Sequence, residues 1–164
     1  MTIRHAGREV VSELEPLYAT LHEHQASIAP TLAGMPARSS DESWRRRRAE
    51  YDRWLATPGA FVLLAERAGK TVGYALVSLA DGFQGWTSGE QVADVLDLVV
   101  VPEERGHGIG SALMNAVERD LAAAGIAEVR LRVIAANAQA LQFYAARGMM
   151  PISQTLLRRI NVTG

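Results

Sequence analysis

Residues 95–113 read VLDLVVVPEERGHGIGSAL. The apolar run of Val95, Leu96 and Leu98–Val101 stops at Pro102. Two acidic residues and Arg105 follow, and then Gly106, Gly108 and Gly110 alternate with His107 and Ile109. Beyond Gly110 the apolar residues Leu113, Met114, Val117 and Leu121 are spaced by three or four, the period of a helix. The stretch therefore reads as a buried strand, a tight glycine-rich turn and the start of an amphipathic helix. Glycines at these positions let backbone N–H groups approach a ligand with no Cβ in the way. The helix adds unpaired amides and the positive end of its dipole. That construction suits an anion, and a phosphate before others.

Spacing narrows the choice of phosphate ligand. The Gly-Lys-Thr at 69–71 has Leu64 where the G-x-x-x-x-G-K-[ST] loop of nucleotide hydrolases needs its first glycine, so that loop is missing. The dinucleotide pattern G-x-G-x-x-G, counted from Gly106, needs glycine at 111, where Ser111 stands. The pattern [RQ]-x-x-G-x-[GA] is filled by Arg105, Gly108 and Gly110. It resembles the pyrophosphate loop of the GNAT superfamily, the acyl-CoA-dependent N-acyltransferases. The competing reading is a turn that is glycine-rich only to reverse the chain, but a plain turn rarely needs three glycines.

A second segment carries the same resemblance. Asn137, Ala140, Phe143, Tyr144 and Gly148 fill N-x-x-A-x-x-[FL]-Y-x-x-x-G, with Met149 where the family usually has Phe. The likeness covers roughly the last two-thirds of the chain, from Ala60 onward.

With 164 residues, 48% hydrophobic and 21% charged, the chain fits one globular domain, 1–164. A net charge of −1 gives no general electrostatic reason to bind nucleic acid or an acidic membrane. The absence of cysteine removes disulfides, thiolate zinc sites and cysteine nucleophiles together. No apolar run reaches transmembrane length and no signal-peptide core is visible, so a cytoplasmic location is expected.

In order, Thr2–Ala6 alternates as a short strand, and the apolar set from Val10 to Leu21 is helical, with Pro16 inside it predicting a kink or two helices meeting. Residues 27–40 read as a loop, and Ser40-Asp41-Glu42 opens a second helix bearing Trp44, Tyr51, Trp54 and Leu55. Ala60–Glu66 and Thr71–Leu79 form a hairpin, followed by a loop over 80–90, the strand Val92–Val101, and a helix to Ala124. Ala127–Ile134 alternates as a strand, a helix runs to Arg147, and Pro151–Ile160 supplies a last strand or two short ones. The order β-α-α-β-β-β-α-β-α-β(-β) predicts an α/β fold with a mixed sheet flanked by helices. The resemblance implies the GNAT version, largely antiparallel.

The resemblance also implies roles. Arg105, Gly106, His107, Gly108, Ile109, Gly110 and Ser111 would hold the pyrophosphate of acetyl-CoA. Leu98, Val99, Val100 and Val101 would form an edge for its pantetheine amides, on a strand that bulges and splays from Val129–Ile134, and an N–H near Val99 could bind the thioester carbonyl. Asn137, Ala140, Phe143 and Tyr144 would border the same ligand. Tyr144 would be the proton donor to the departing sulfur, with packing at a helix–sheet junction as its other reading. Asn137 reads equally as a helix cap. For a general base, Asp94 and Asp97 stand level, with Glu90 through water a third choice, and a bound water alone a fourth. On a regular strand the two aspartates face opposite sides, and a bulge between them would change that. The run Arg45–Arg48 reads as a solvated helix face, with contact to an acidic substrate or the coenzyme's 3′-phosphate as the alternative.

The implied activity is N-acetylation of a primary amine by direct attack on acetyl-CoA, without metal, a small amine or amino-acid-like acceptor being preferred to a protein N-terminus or lysine. A non-catalytic acyl-CoA sensor is the reading from another class. Neither nucleic acid nor membrane is expected as a partner, and the C-terminal strand offers an edge at which a homodimer could form.

Overall fold

The computed structural model describes residues 1–160; the expected 1–164 domain includes four residues outside that range. β1 (Thr2–Ala6) leads into a 3-10 helix over Arg8–Leu14 and then α1 (Glu15–Ile28). Pro16 occupies the first turn of α1, where a missing N–H has no intrahelical partner to lose, so two helices meet there. The expected loop over 27–40 contains a small ribbon, β2 (Thr31–Leu32) against β3 (Met35–Pro36). α2 (Ser40–Trp54) is capped one residue earlier than expected, by the Ser39 side chain accepting from the Glu42 N–H. β4 (Phe61–Arg67), β5 (Lys70–Asp81), β6 (Gln91–Val100), α3 (Ile109–Ala123), β7 (Val129–Leu131) and α4 (Ala138–Ala146) complete the order.

The sheet runs β1-β4-β5-β6-β7, antiparallel throughout except for the parallel β6–β7 pair. Its central strands are buried on both faces, which is why β4 and β5 read as unbroken apolar runs. Leu63, Ala65, Ala75, Val77, Ala93 and Val95 face Leu113, Met114, Val117 and Leu121 of α3. On the other face, Val62, Leu64, Tyr74, Leu76 and Val99 meet Leu14, Tyr18, Trp44 and Tyr51 from the 3-10 helix, α1 and α2. Among the described residues no helix is long and apolar enough to cross a membrane.

Two strand expectations are corrected. The strand expected over 127–134 shrinks to Val129–Leu131, because β6 turns away beyond Val95 and residues 132–134 have no ladder to join. Residues 151–160 form no strand: they are exposed throughout, Leu156 and Ile160 included, with no partner strand to satisfy their backbone. The final strand of the expected order is thus absent among the described residues, and with it the edge on which a homodimer was expected.

Candidate active site

The site begins with one extra residue. In the β5–β6 ladder Leu76 pairs with Asp97 and Val77 with Val95, so Leu96 is inserted as a bulge. The bulge resets the side-chain alternation. Asp94 lies opposite Ser78 and Asp97 opposite Leu76, two positions of one β5 face, so both acids share the face covered by α1 and α2.

The same insertion resets the backbone. Before it, the Ala93 N–H points to the β7 side, donating to the Glu128 carbonyl at 2.9 Å. After it, the Val101 N–H points the other way, to the Val72 carbonyl at 2.9 Å. By the alternation of an antiparallel ladder, Val99 also bonds toward β5, while Leu98 and Val100 present their backbone to the β7 side. There β7 has already ended, since its pairing stops at Val95–Leu131. Leu98 and Val100 therefore form the open edge. Val99 instead buries its side chain in the α1–α2 core, 2% exposed, so an N–H at 99 is not the one aimed into the gap.

Beyond Val101 the chain folds into a cradle. The Glu104 and Arg105 N–H groups close a short 3-10 turn onto Val101 and Pro102. Arg105 does not hang in solvent: its Nε donates to the Val100 carbonyl at 3.0 Å and ties the loop to the strand end. Gly106 and Gly108 have φ of 79° and 78°, the left-handed region that only glycine enters freely. Ile109 is the anchor, 2% exposed, while His107 is exposed beside it. The Ala112 N–H closes the first helical bond of α3 onto the Gly108 carbonyl. The amides of residues 106–111, ending at Ser111, find no acceptor among the described residues. A run of converging, unpaired N–H groups at a helix start is an anion nest.

α4 closes the other wall. Asn137 caps it, accepting from the Ala140 N–H at 3.1 Å. One turn on, the Phe143 ring lies 3.7 Å from where a Cβ on Gly110 would be, so the second signature packs directly onto the first. Phe143 and Tyr144 meet edge to face at 5.1 Å. Burial, reinforced by the Asp97 charge and opposed by Arg147, pushes the Tyr144 phenol up to about 12. That coupling puts the phenol within electrostatic reach of Asp97.

The two aspartates differ in their surroundings. Asp94 is gripped by Arg130 through two hydrogen bonds, at 2.6 and 3.1 Å, which pin β7 to β6. Asp97 is 6% exposed and receives the Tyr51 hydroxyl, with the Tyr74 hydroxyl 2.8 Å from that of Tyr51. Burial raises the Asp97 carboxyl above its ordinary value, against the pull of Arg47 and the two phenols. Desolvation thus outweighs its partners, leaving a carboxylate more basic than usual.

Sequence reasoning missed Tyr51, Tyr74 and Arg47 as members of this cluster. The signal was present in helical spacing: Trp44, Arg47 and Tyr51 stand at i, i+3 and i+7, on one face of α2. Of the four consecutive arginines, Arg45, Arg46 and Arg48 are exposed as expected, and Arg47 turns inward.

Comparison with known proteins agrees with this fold. The profile of the acetyltransferase (GNAT) family matches residues 20–149, beginning some forty residues before Ala60, where the likeness was expected to start. A mycothiol acetyltransferase from Thermobispora bispora is 35% identical over 105 residues, covering 62% of this chain and 33% of that protein. One from Amycolatopsis mediterranei is 34% identical over 102 residues, with the same coverage. The chain thus spans about a third of the length of these relatives. Among solved structures, a GCN5-related N-acetyltransferase from Ralstonia eutropha superposes with a TM-score of 0.76 at 20% identity, over 96% of this chain and 97% of that one. An aminoglycoside N-acetyltransferase in complex with CoA gives 0.68 at 17% identity, over 98% and 95%. At such identities the solved structures establish the shared fold.

Proposed function

Because the chain belongs to the acetyltransferase (GNAT) family, we propose that it moves the acetyl group of acetyl-CoA to a primary amine by direct attack, in one site and without a covalent enzyme intermediate. The observation that carries this reading is the continuity of backbone open to the β7 side, Leu98 and the Val100 N–H, with the unpaired amides of residues 106–111, the Val100 carbonyl being held by Arg105. An anion nest at the end of an open strand edge fits a ligand that is a pyrophosphate at one end and a chain of amides at the other. The N-acetyl chemistry in the names of the structural neighbours supports nitrogen as the acceptor atom.

In this reading the loop from Gly106 to Ser111 takes the pyrophosphate, and Leu98 and Val100 pair with the pantetheine amides and orient the thioester. Asp97 accepts the proton of the incoming ammonium through one water, its raised basicity suiting the task. The amine's C–N bond forms as the C–S bond breaks. Tyr144 then meets the departing sulfur. Its phenol is a weaker acid than usual, so it offers a hydrogen bond first, and the proton as negative charge gathers. Asp94, held in both oxygens by Arg130, serves as a brace between β6 and β7.

Titration calorimetry with acetyl-CoA, followed by thiol release against a panel of amines, tests the proposal. Binding together with amine-dependent thiol release supports it, and a folded protein that ignores acetyl-CoA sinks it.

Asp97→Asn should lower kcat/KM for the amine by roughly 10²–10⁴-fold, the usual range for a general base. It should also change the pH dependence of stability. The folded carboxyl titrates above its ordinary value of 3.8, so ionising it destabilises the native state as pH rises from there through the folded value, with no further change above. Melting curves between pH 4 and 7 should show the variant gaining on the wild type as pH rises. Equal activity in the two proteins would remove Asp97 from the mechanism.

A further inference from the structure

A group of residues on the α1–α2 side of the sheet encloses a cavity. Tyr18, Arg38, Ser43, Arg46, Arg47 and Glu50 line a cavity of about 300 Å³. Arg47 is the member best held in place. Its guanidinium lies over the Tyr18 ring at 5.6 Å and the Trp54 ring at 5.4 Å. Its side chain is 26% exposed, against 65% for Arg46. Two aromatic faces fix the plane of the fork without using its N–H groups. The hydrogen bond it makes among the described residues is to Glu50, at 3.5 Å, a long contact that leaves most of the five donors for something else.

Tyr18, in the cavity lining, links it to the proposed chemistry. The Tyr18 and Tyr51 rings meet edge to face at 6.3 Å, and the Tyr51 hydroxyl donates to Asp97. Arg47 is one of the charges that hold the Asp97 carboxyl down against burial, so the two sense each other across that ring. The protein therefore sets a carboxylate at the reacting end and a guanidinium at the cavity end. A ligand with an ammonium group and an anion separated by a few bonds matches that order of charges.

The charge count favours a single negative charge. Arg38 and Arg46 both lean on Glu42, at 2.5 and 3.3 Å, and Glu50 touches Arg47. Arg53 also reaches Glu50, at 3.6 Å, so four arginines stand against Glu42, Glu50 and Asp97 and leave an excess of one positive charge. That suits a carboxylate better than a doubly charged phosphate.

We propose that the acceptor is an amino-carboxylate, a small molecule whose carboxylate is held by Arg47, with Arg46 at the rim, while its amine faces Asp97. This deepens the acetyltransferase reading above and rests on it. Arg47 is a specificity-determining residue: it contacts the unreacting end of the acceptor.

The test compares free amino acids with the same amino acids as carboxamides, which keep the α-amine and lose the charge. Wild-type protein should acetylate the carboxylates with kcat/KM roughly 100-fold above the carboxamides, the scale of a charge-assisted bidentate pair. Arg47→Gln should collapse that preference to near unity, chiefly through KM for the carboxylates, and Arg47→Lys should restore part of it. Arg46→Gln, on an exposed side chain that folding does not need, should weaken the preference several-fold and guards against an unfolded Arg47 variant. If Arg47→Gln instead lowers both sets equally and shifts the pH profile, Arg47 serves only to neutralise Asp97, and the proposal fails. It also fails if carboxamides are the better substrates, if amino-phosphates match the carboxylates, or if acetyl-CoA binds but no amino acid is acetylated. In each of these cases the acetyltransferase reading stands. Absence of acetyl-CoA binding by wild type overturns that underlying reading itself.

Discussion

Gly108→Asp should weaken acetyl-CoA binding by at least ~100-fold while the protein still folds, because a carboxylate in the nest meets a like-charged pyrophosphate at a cost of several kcal/mol. The two effects separate cleanly at this position. A Cβ on Gly108 meets nothing within 4 Å, so no side chain has to move. What opposes the change is the φ of 78°, about 1–2 kcal/mol for a residue other than glycine. An aspartate at the start of α3 returns part of that by accepting from the amides of the first turn. A fall in melting temperature of about 2–4 °C is the expected net cost for a chain of this size. The same capping carboxylate occupies the donors meant for the ligand. Gly110→Asp acts by a different route: its Cβ would stand in ordinary contact with Phe143, at 3.7 Å, and place a charge beside the edge at Val100. Calorimetric titration of both folded variants decides the matter. Wild-type affinity in Gly108→Asp would show the loop to be a turn and nothing more.

Tyr144→Phe should leave acetyl-CoA affinity within about threefold of wild type and lower kcat by roughly 10²–10³-fold, the lower part of the range for a positioned acid. The variant keeps the ring that packs at the junction of α4 and the sheet, so only the hydroxyl is lost. Because the phenol is pushed up to about 12, it stays protonated across the working range. The wild-type rate profile should therefore show no loss of activity from Tyr144 ionisation below about pH 10, and the variant's profile should keep its shape at reduced height. Thiol release at saturating acetyl-CoA, measured across pH, gives both numbers. An unchanged kcat would assign the role of acid elsewhere.

Much of this site is legible in the sequence because it depends on local chemistry. The glycines at 106 and 108, the cap at Asn137 and the helical reach from Asn137 to Phe143 and Tyr144 follow from positions a few residues apart. Pro16 likewise announced the meeting of two helices. The register of β6 was not legible in the same way. That Leu98 and Val100, and not Val99, face the gap depends on which β5 residue each opposes, and an inserted residue at Leu96 leaves no mark in an apolar run. Arg47 was hidden for a related reason: four arginines in sequence look alike, and only the aromatic rings from α1 and the end of α2 select one of them. The strand expected over 151–160 shows the converse. Its apolar residues suggested pairing, but a strand requires a neighbour, and the chain presents none there among the described residues.

The bulge at Leu96 carries a consequence for how such a site can change over time. Strand register is counted in whole residues, so no gradual series of side-chain replacements moves Leu98 and Val100 off the open edge. Point substitutions can adjust the proposed acceptor cavity, to which α2 contributes Ser43, Arg46, Arg47 and Glu50. Removing the donor platform instead takes a deletion of one residue, which would turn the two backbone positions inward together and restore an uninterrupted ladder. Among descendants of this chain, acceptor choice should therefore drift by substitution, whereas loss of the donor platform should appear abruptly, as a change in length between Asp94 and Asp97.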